Sequence, residues 1–302
     1  MLREYAVEPE VFSSWEIIRH IISECGVHNK GRMISNFPKK EWIRMVCTQI
    51  DKFPSQMDAK RAKEYLLSNK SKLLSMGRTF DRQKDWLNNA IQSHQEKSFQ
   101  GVLVKSDTPS EAGILKVDEM TFEETEWNID SDSKIPRTTE AIVEAAAPLL
   151  RISRSVALVD RNFHFYGHQR QPVIELCKKA KEGTPLSSFS MHVSADKLED
   201  DFFSQCKKFI RALDLSPGQG FIFVRWKKRE EGENQHPRYV LTDCGGISYD
   251  HGLDEGKPGE TTDVKLLGKK LWEERWAQYQ PNSKVLEHVD SWLLKDGLVK
   301  KL

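Results

Sequence analysis

The feature of this 302-residue chain that most constrains its fold is the alternation that begins at Thr138. Thr138–Leu150, with its run Ala-Ile-Val-Glu-Ala-Ala-Ala, predicts a helix. Ser155-Val-Ala-Leu-Val-Asp160 follows as an unbroken apolar run ending in a carboxylate, the pattern of a strand buried on both faces. Pro172–Lys181 reads as helix, Phe189–Val193 as strand and Leu198–Leu213 as helix. Gly220–Trp226 and Tyr239–Thr242 read as further strands, and Val264–Tyr279 as a helix. Strands separated by amphipathic helices imply an α/β sheet whose ligands gather beyond the carboxyl ends of its strands. Asp160 stands at such an end, where a site residue and a helix cap are equally good readings.

The first hundred residues carry the helical period instead. Ser13-Ser-Trp-Glu16 has the capping-box pattern, and Trp15, Ile18, Ile21 and Ile22 then recur at three- and four-residue spacing. Lys39–Asp51, Met57–Met76 and Asp81–Gln95 read as three more helices, so 1–100 is expected to be a smaller, mainly helical N-terminal domain. Trp15, Trp42 and Trp86 fall at core-like positions. The cations Lys60, Arg61, Lys63, Lys70 and Lys72 admit two readings, an ordinary solvated face or a polyanion-binding one. Residues 101–136 form an acidic connector holding two short strand patterns, Gly101–Val104 and Gly113–Val117. Residues 137–302 form the α/β domain.

Charge follows the same division. Residues 1–100 hold 17 Lys+Arg against 12 Asp+Glu, 101–150 hold 4 against 11, and 151–302 hold 25 against 22. The net charge of +1 thus hides two mildly basic lobes, which permit a polyanion partner without demanding one. No apolar run is long enough to span a bilayer, and no signal-peptide pattern opens the chain. Five cysteines without C-x2-C spacing argue against a zinc site or a disulfide framework, so a cytoplasmic protein with reduced thiols is expected.

The chemistry-bearing stretch is His236-Pro-Arg238-Tyr-Val-Leu-Thr-Asp243-Cys-Gly245-Gly246-Ile-Ser248, spaced H-x-R-x4-D. On an extended strand His236 and Arg238 share a face, and Pro237 places them at a strand start or edge. Asp243 lies at an odd offset, so it joins them only if a turn re-aims it. Together the three suit a phosphodiester: His236 attacks phosphorus, Arg238 clamps two non-bridging oxygens, and Asp243 orients the imidazole. No metal or other cofactor is required. Such a triplet arises by chance in roughly one comparable chain in ten. Ser248, Asp160 and the run Arg225-Trp-Lys227-Lys228-Arg229 are further candidates for phosphate contact, the run being a solvated loop in its simpler reading. His164, His168 and His251 lack the Cys or carboxylate pattern of a metal site.

Over about 137–280 the chain resembles the phospholipase D superfamily, whose signature is H-x-K-x4-D followed by a glycine-rich turn. His236, Asp243 and Gly245-Gly246 match, Arg238 stands where Lys is usual, and Asp160 to Phe163 resembles the family's D-x-x-F stretch. The run from His236 to Asp254 is also similar to the C-terminal phospholipase-D-like domain of microtubule-interacting-and-trafficking proteins. It is more similar still to bacterial single-motif proteins of defence islands. The resemblance implies a mixed sheet flanked by helices and a metal-independent phosphodiesterase working through a phosphohistidine. In the defence-island setting it implies a nuclease with nucleic acid and other defence proteins as partners. Superfamily enzymes use two motifs and this chain has one, so catalysis implies a homodimer. The alternative is an inactive module of the same fold that binds nucleic acid, phospholipid headgroups or a partner protein.

Overall fold

The structure, a computed structural model, describes residues 2–105, 113–119, 127, 130–197, 201–230 and 238–302. They divide into two compact units, Leu2–Asp130 and Ser131–Leu302.

The N-terminal unit runs β1 (Arg3–Val7), α1 (Trp15–Glu24), β2 (Arg32–Ser35), α2 (Trp42–Ile50), α3 (Gln56–Ser68), β3 (Leu73–Leu74), α4 (Trp86–Glu96), β4 (Gly101–Val104) and β5 (Ile114–Lys116). A helix falls within each of the four expected stretches, with Ser14 rather than Ser13 as the cap of α1 and with α3 ending at Ser68, short of the expected Met76, because Leu73–Leu74 joins the sheet as β3. The domain is not helices alone, however. The helices accompany a five-stranded parallel sheet ordered β3-β2-β1-β4-β5. β1 and β2 are short and contain charges, so neither shows a strand period in sequence. Their charges find partners only in three dimensions. Glu4 on β1 accepts from Arg78 Nε and Nη2 (2.9 and 2.8 Å) and from Ser35 Oγ on β2 (2.7 Å). Arg78 also lies 3.6 Å from the Phe99 ring centre. The strand patterns at Gly101–Val104 and within Gly113–Val117 are strands β4 and β5 of this sheet, so the connector belongs to the domain and the boundary falls at 130/131.

Trp42 and Trp86 are buried, each donating its indole N–H to a backbone carbonyl, which is packing and not a surface for base stacking. Among the cations of this unit, Lys63 pairs with Asp51, Arg61 covers Trp15, and Lys72 donates to the Ile22 carbonyl. These contacts favour the ordinary-face reading.

The C-terminal unit is α/β. Its elements are β6 (Asp132–Pro136), α5 (Thr139–Ile152), β7 (Ser155–Val159), α6 (Gly167–Lys181), β8 (Ser188–Ser194), α7 (Phe202–Ala212), β9 (Gly220–Lys228), β10 (Arg238–Thr242), β11 (Gly246–Tyr249), β12 (Thr261–Leu266), α8 (Lys269–Gln278), β13 (Leu286–Lys295) and β14 (Leu298–Lys301). They build a nine-stranded mixed sheet, β14-β13-β9-β8-β7-β10-β11-β12-β6. β7, β8 and β9 are parallel neighbours, and β10 returns antiparallel against β7. Side chains alternate across the strands, so each face has its own cover. On one, α7 packs Phe202 and Phe209 against Phe221 and Phe223, while α5 receives the Tyr249 hydroxyl at the Ile142 carbonyl. On the other, α8 lays Trp272 and Trp276 over Ala157, Val159, Trp226 and Leu241.

The helix expected over Val264–Tyr279 begins only at Lys269. Thr261–Leu266 alternates exposed and buried residues as a strand pairing with β11 and β6. No helix among the described residues is long and apolar enough to cross a membrane.

Candidate functional site at the carboxyl ends of the central strands

Because β10 runs antiparallel to β7, its first residue meets the end of β7. Tyr239 pairs with Val159, which brings Arg238 beside Asp160. Arg238 Nε lies 4.0 Å from Asp160 Oδ1, and its Nη1 donates to the Asp250 carbonyl at 3.2 Å. The Arg238 side chain is 24% exposed and that of Asp160 6%, so the cation reaches solvent while the carboxylate does not. Asp160 accepts from the amides of Asn162 (2.9 Å) and Leu253 (3.2 Å). Burial raises its carboxyl above the usual range, and the Asp254 charge adds to this. The two amides and Arg238 oppose the rise without cancelling it.

The loop from Asp250 to Glu260 closes this end. Arg137, just before α5, bridges Asp254 and Glu260, both at 2.9 Å. The Glu255 carboxylate accepts from the Thr139 amide at the start of α5, and its own amide donates to the His168 carbonyl. At Gly252 a Cβ would stand 2.2 Å from Asp254 Oδ1, so only glycine fits between that carboxylate and Asp160. Tyr166 stands exposed at the rim, its ring centre 5.6 Å from His164 and 6.1 Å from His168. Arg137, Asp254, Glu255 and Gly252 escape a reading of the sequence because only the folded loop gathers them. The signal open to inspection was the carboxylate-rich run after the motif.

Of the expected site residues, Asp243 lies elsewhere and Arg225 is engaged by another partner. Asp243 is at the far end of β10, about 17 Å along the strand from Arg238 at ~3.4 Å per residue. Its Oδ1 accepts from the amides of Arg154 and Ser155 at 3.0 and 3.1 Å, so it secures the start of β7 instead of orienting an imidazole. The intervening turn does not re-aim it. Thr242 Oγ1 holds that turn through the amides of Cys244 and Gly245, and Gly246 is small because Leu241 and Leu267 close on it. Arg225, in the same row as Asp160 two strands away, is already paired. It forms a bidentate pair with Asp290 on β13 (2.7 and 2.5 Å), with Asp290 only 4% exposed. Burial opposes ionisation of Asp290, but the Arg225 hydrogen bonds and charge outweigh it and hold the carboxyl below its usual range.

Ser248 pairs with Tyr239, on the opposite face of the sheet from Arg238, and its hydroxyl donates to the Lys265 carbonyl. Lys227 and Lys228 are exposed at the carboxyl end of β9, the same end as Asp160 and two strands away. His236 lies outside the described residues. Among the described residues no group of three or more His, Cys, Asp or Glu gathers as a metal-ligand set.

This end presents Arg238 backed by the buried Asp160, two solvated lysines, an exposed tyrosine, and the carboxylates Asp254, Glu255 and Glu260 held by Arg137 and the Thr139 amide, with α5 and α6 both starting here. No family model and no curated protein matches the chain. Among solved structures, it is similar at a TM-score of 0.28 and 11% identity to TrmBL2, an archaeal chromatin protein described as showing a novel mode of DNA binding. That match covers 52% of this chain and about half, 54%, of the other.

Proposed function

We propose that the C-terminal unit is a metal-independent phosphodiesterase acting on nucleic acid at the carboxyl ends of β7, β8 and β9. The observation that carries this reading is the placement of Arg238 at the head of β10, held beside Asp160 yet open to solvent. Two residues before it in sequence is His236, the nucleophile of the motif in this reading. In the first step an imidazole nitrogen of His236 attacks phosphorus, forming a P–N bond as the P–O bond to the leaving group breaks. The leaving oxygen takes a proton from the imidazolium of a second copy's motif, which makes the active species a homodimer. Water then hydrolyses the phosphohistidine, deprotonated by that same second imidazole. Arg238 offsets charge on the non-bridging oxygens, Lys227 and Lys228 attract the backbone, and Tyr166 offers a face for a base. A bacterial defence or mobile-element setting, with partner proteins, rests on the sequence resemblance.

The test is cleavage of single- and double-stranded DNA and RNA by the full chain in excess EDTA. Turnover by the wild type and none by His236→Ala is expected; equal behaviour of the two ends the enzyme reading.

A second reading, a binding module of this fold without turnover, is favoured by Asp243, whose Oδ1 is taken by the Arg154 and Ser155 amides at the far end of β10. It expects salt-sensitive binding that Arg238→Ala abolishes and His236→Ala tolerates.

A further inference from the structure

The sheet face opposite Arg238 holds a cavity of about 440 Å³, within the range of small-molecule sites. Its floor comes from β7, β8 and β9, and α8 and β13 wall it. The space exists because Ser155, Ala157, Ser188 and Ser190 are small where the other face carries Leu158, Phe189 and Met191. Ile222, Val224 and Trp276 supply an apolar lining.

Two observations define what fits. First, the described lining holds no Asp, Glu, Lys or Arg side chain, in a chain that is 30% charged. An ion entering it would lose hydration without meeting a carboxylate, ammonium or guanidinium side chain. Second, the polar groups in its floor are already oriented. The Trp226 indole N–H donates to His192 Nδ1 at 2.9 Å, and an indole can only donate. The neutral His192 ring therefore carries its proton on Nε2 and donates to Ser190 Oγ at 2.8 Å. Ser190 Oγ in turn donates to the Val156 carbonyl at 3.3 Å. A hydroxyl has two lone pairs, so Ser190 keeps one with which to accept from a guest.

We propose that this cavity binds an uncharged, largely apolar small molecule that donates a hydrogen bond to Ser190. The site is distinct from the phosphodiester site and does not depend on it. The remaining occupant such a face admits is a second copy of the chain, and the experiment separates the two.

Titration calorimetry and tryptophan fluorescence would follow binding of 1-naphthol, 1-methoxynaphthalene and 1-naphthalenesulfonate to the full chain. Saturable binding of 1-naphthol is expected, about tenfold tighter than the sulfonate because the anion meets no Lys or Arg in the lining. It should also bind about fivefold tighter than the methyl ether, which cannot donate. Ser190→Ala should close the gap between naphthol and its ether. Ser190→Phe and, as an independent filling variant, Ile222→Trp should abolish binding while circular dichroism and Tm remain those of a folded chain. If either filling variant misfolds, the naphthol-to-ether ratio in Ser190→Ala decides the matter. The proposal is overturned by absent or non-saturable naphthol binding, by equal affinity for the sulfonate, or by an unchanged ratio in Ser190→Ala. It is equally overturned by a wild-type dimer that excludes naphthol and dissociates on Ser190→Phe.

Discussion

Arg238 Nε stands 4.0 Å from Asp160 Oδ1, joining the first residue of β10 to the residue that ends the β7 run. The pair has unequal exposure, and that asymmetry matters. Asp160 also receives two backbone amides, so it serves as the fixed partner, while Arg238 can turn toward solvent without leaving a buried group unpaired. Asp160→Ala should cost about 2–4 kcal/mol in urea unfolding, because the Asn162 and Leu253 amides lose a buried acceptor. Asp160→Asn, which keeps an acceptor, should recover part of this. Arg238→Ala should change stability by less than Asp160→Ala does, and should instead reduce binding of a phosphodiester oligonucleotide.

Asp243 gives the contrasting case. Its contacts are backbone amides at the amino end of β7, a local capping role. Asp243→Ala should cost about 1–2 kcal/mol of stability, with oligonucleotide affinity measured at constant salt unchanged. A selective loss of affinity or turnover at full stability would return Asp243 to the site.

The Arg225–Asp290 pair should behave as a buried structural tie between β9 and β13. Removing one partner leaves the other charge uncompensated, so Asp290→Ala should destabilise by about 3–5 kcal/mol. Replacing both residues together with apolar side chains of similar volume should cost less than Asp290→Ala alone. A double-mutant cycle in chemical denaturation checks the inequality, and nucleic-acid affinity of the folded variants should not follow it.

Stability should also fall on acidification through the floor of the cavity. Burial, with the nearby His288 charge, lowers His192 from its usual value to about 3. The unfolded chain then binds a proton that the folded chain refuses, so the contribution of His192 is fully present above about pH 6.5 and is lost as pH falls toward 3. The slope from one such group is at most about 1.4 kcal/mol per pH unit. Asp160, whose carboxyl is raised, acts in the opposite sense. Its contribution is present at low pH and is lost as pH rises through its folded value. Tm measured from pH 4 to 7.5 should therefore flatten in His192→Gln and steepen in Asp160→Asn.

The alternation after Thr138 was sufficient to define an α/β unit, since buried strands and amphipathic helices differ in period, although the end of strand Thr261–Leu266 reads as helix. The same holds for the four N-terminal helices, whose apolar stripes are local. It does not hold for β1 and β2. Glu4 reads as a surface residue until Arg78, seventy-four positions away, supplies its charge partner. The motif divides in the same way. Spacing placed Arg238 at a strand head, and the apolar run placed Asp160 at a strand end. Their meeting depends on β10 pairing antiparallel to β7, which no local pattern encodes. That pairing carries Asp243 to the far end of the strand, and the pairing of β9 with β13 turns Arg225 into half of an ion pair. Residue type and spacing determined which groups this chain has available for phosphate chemistry. Strand direction and register, set by long-range packing, decided which of them face the same water.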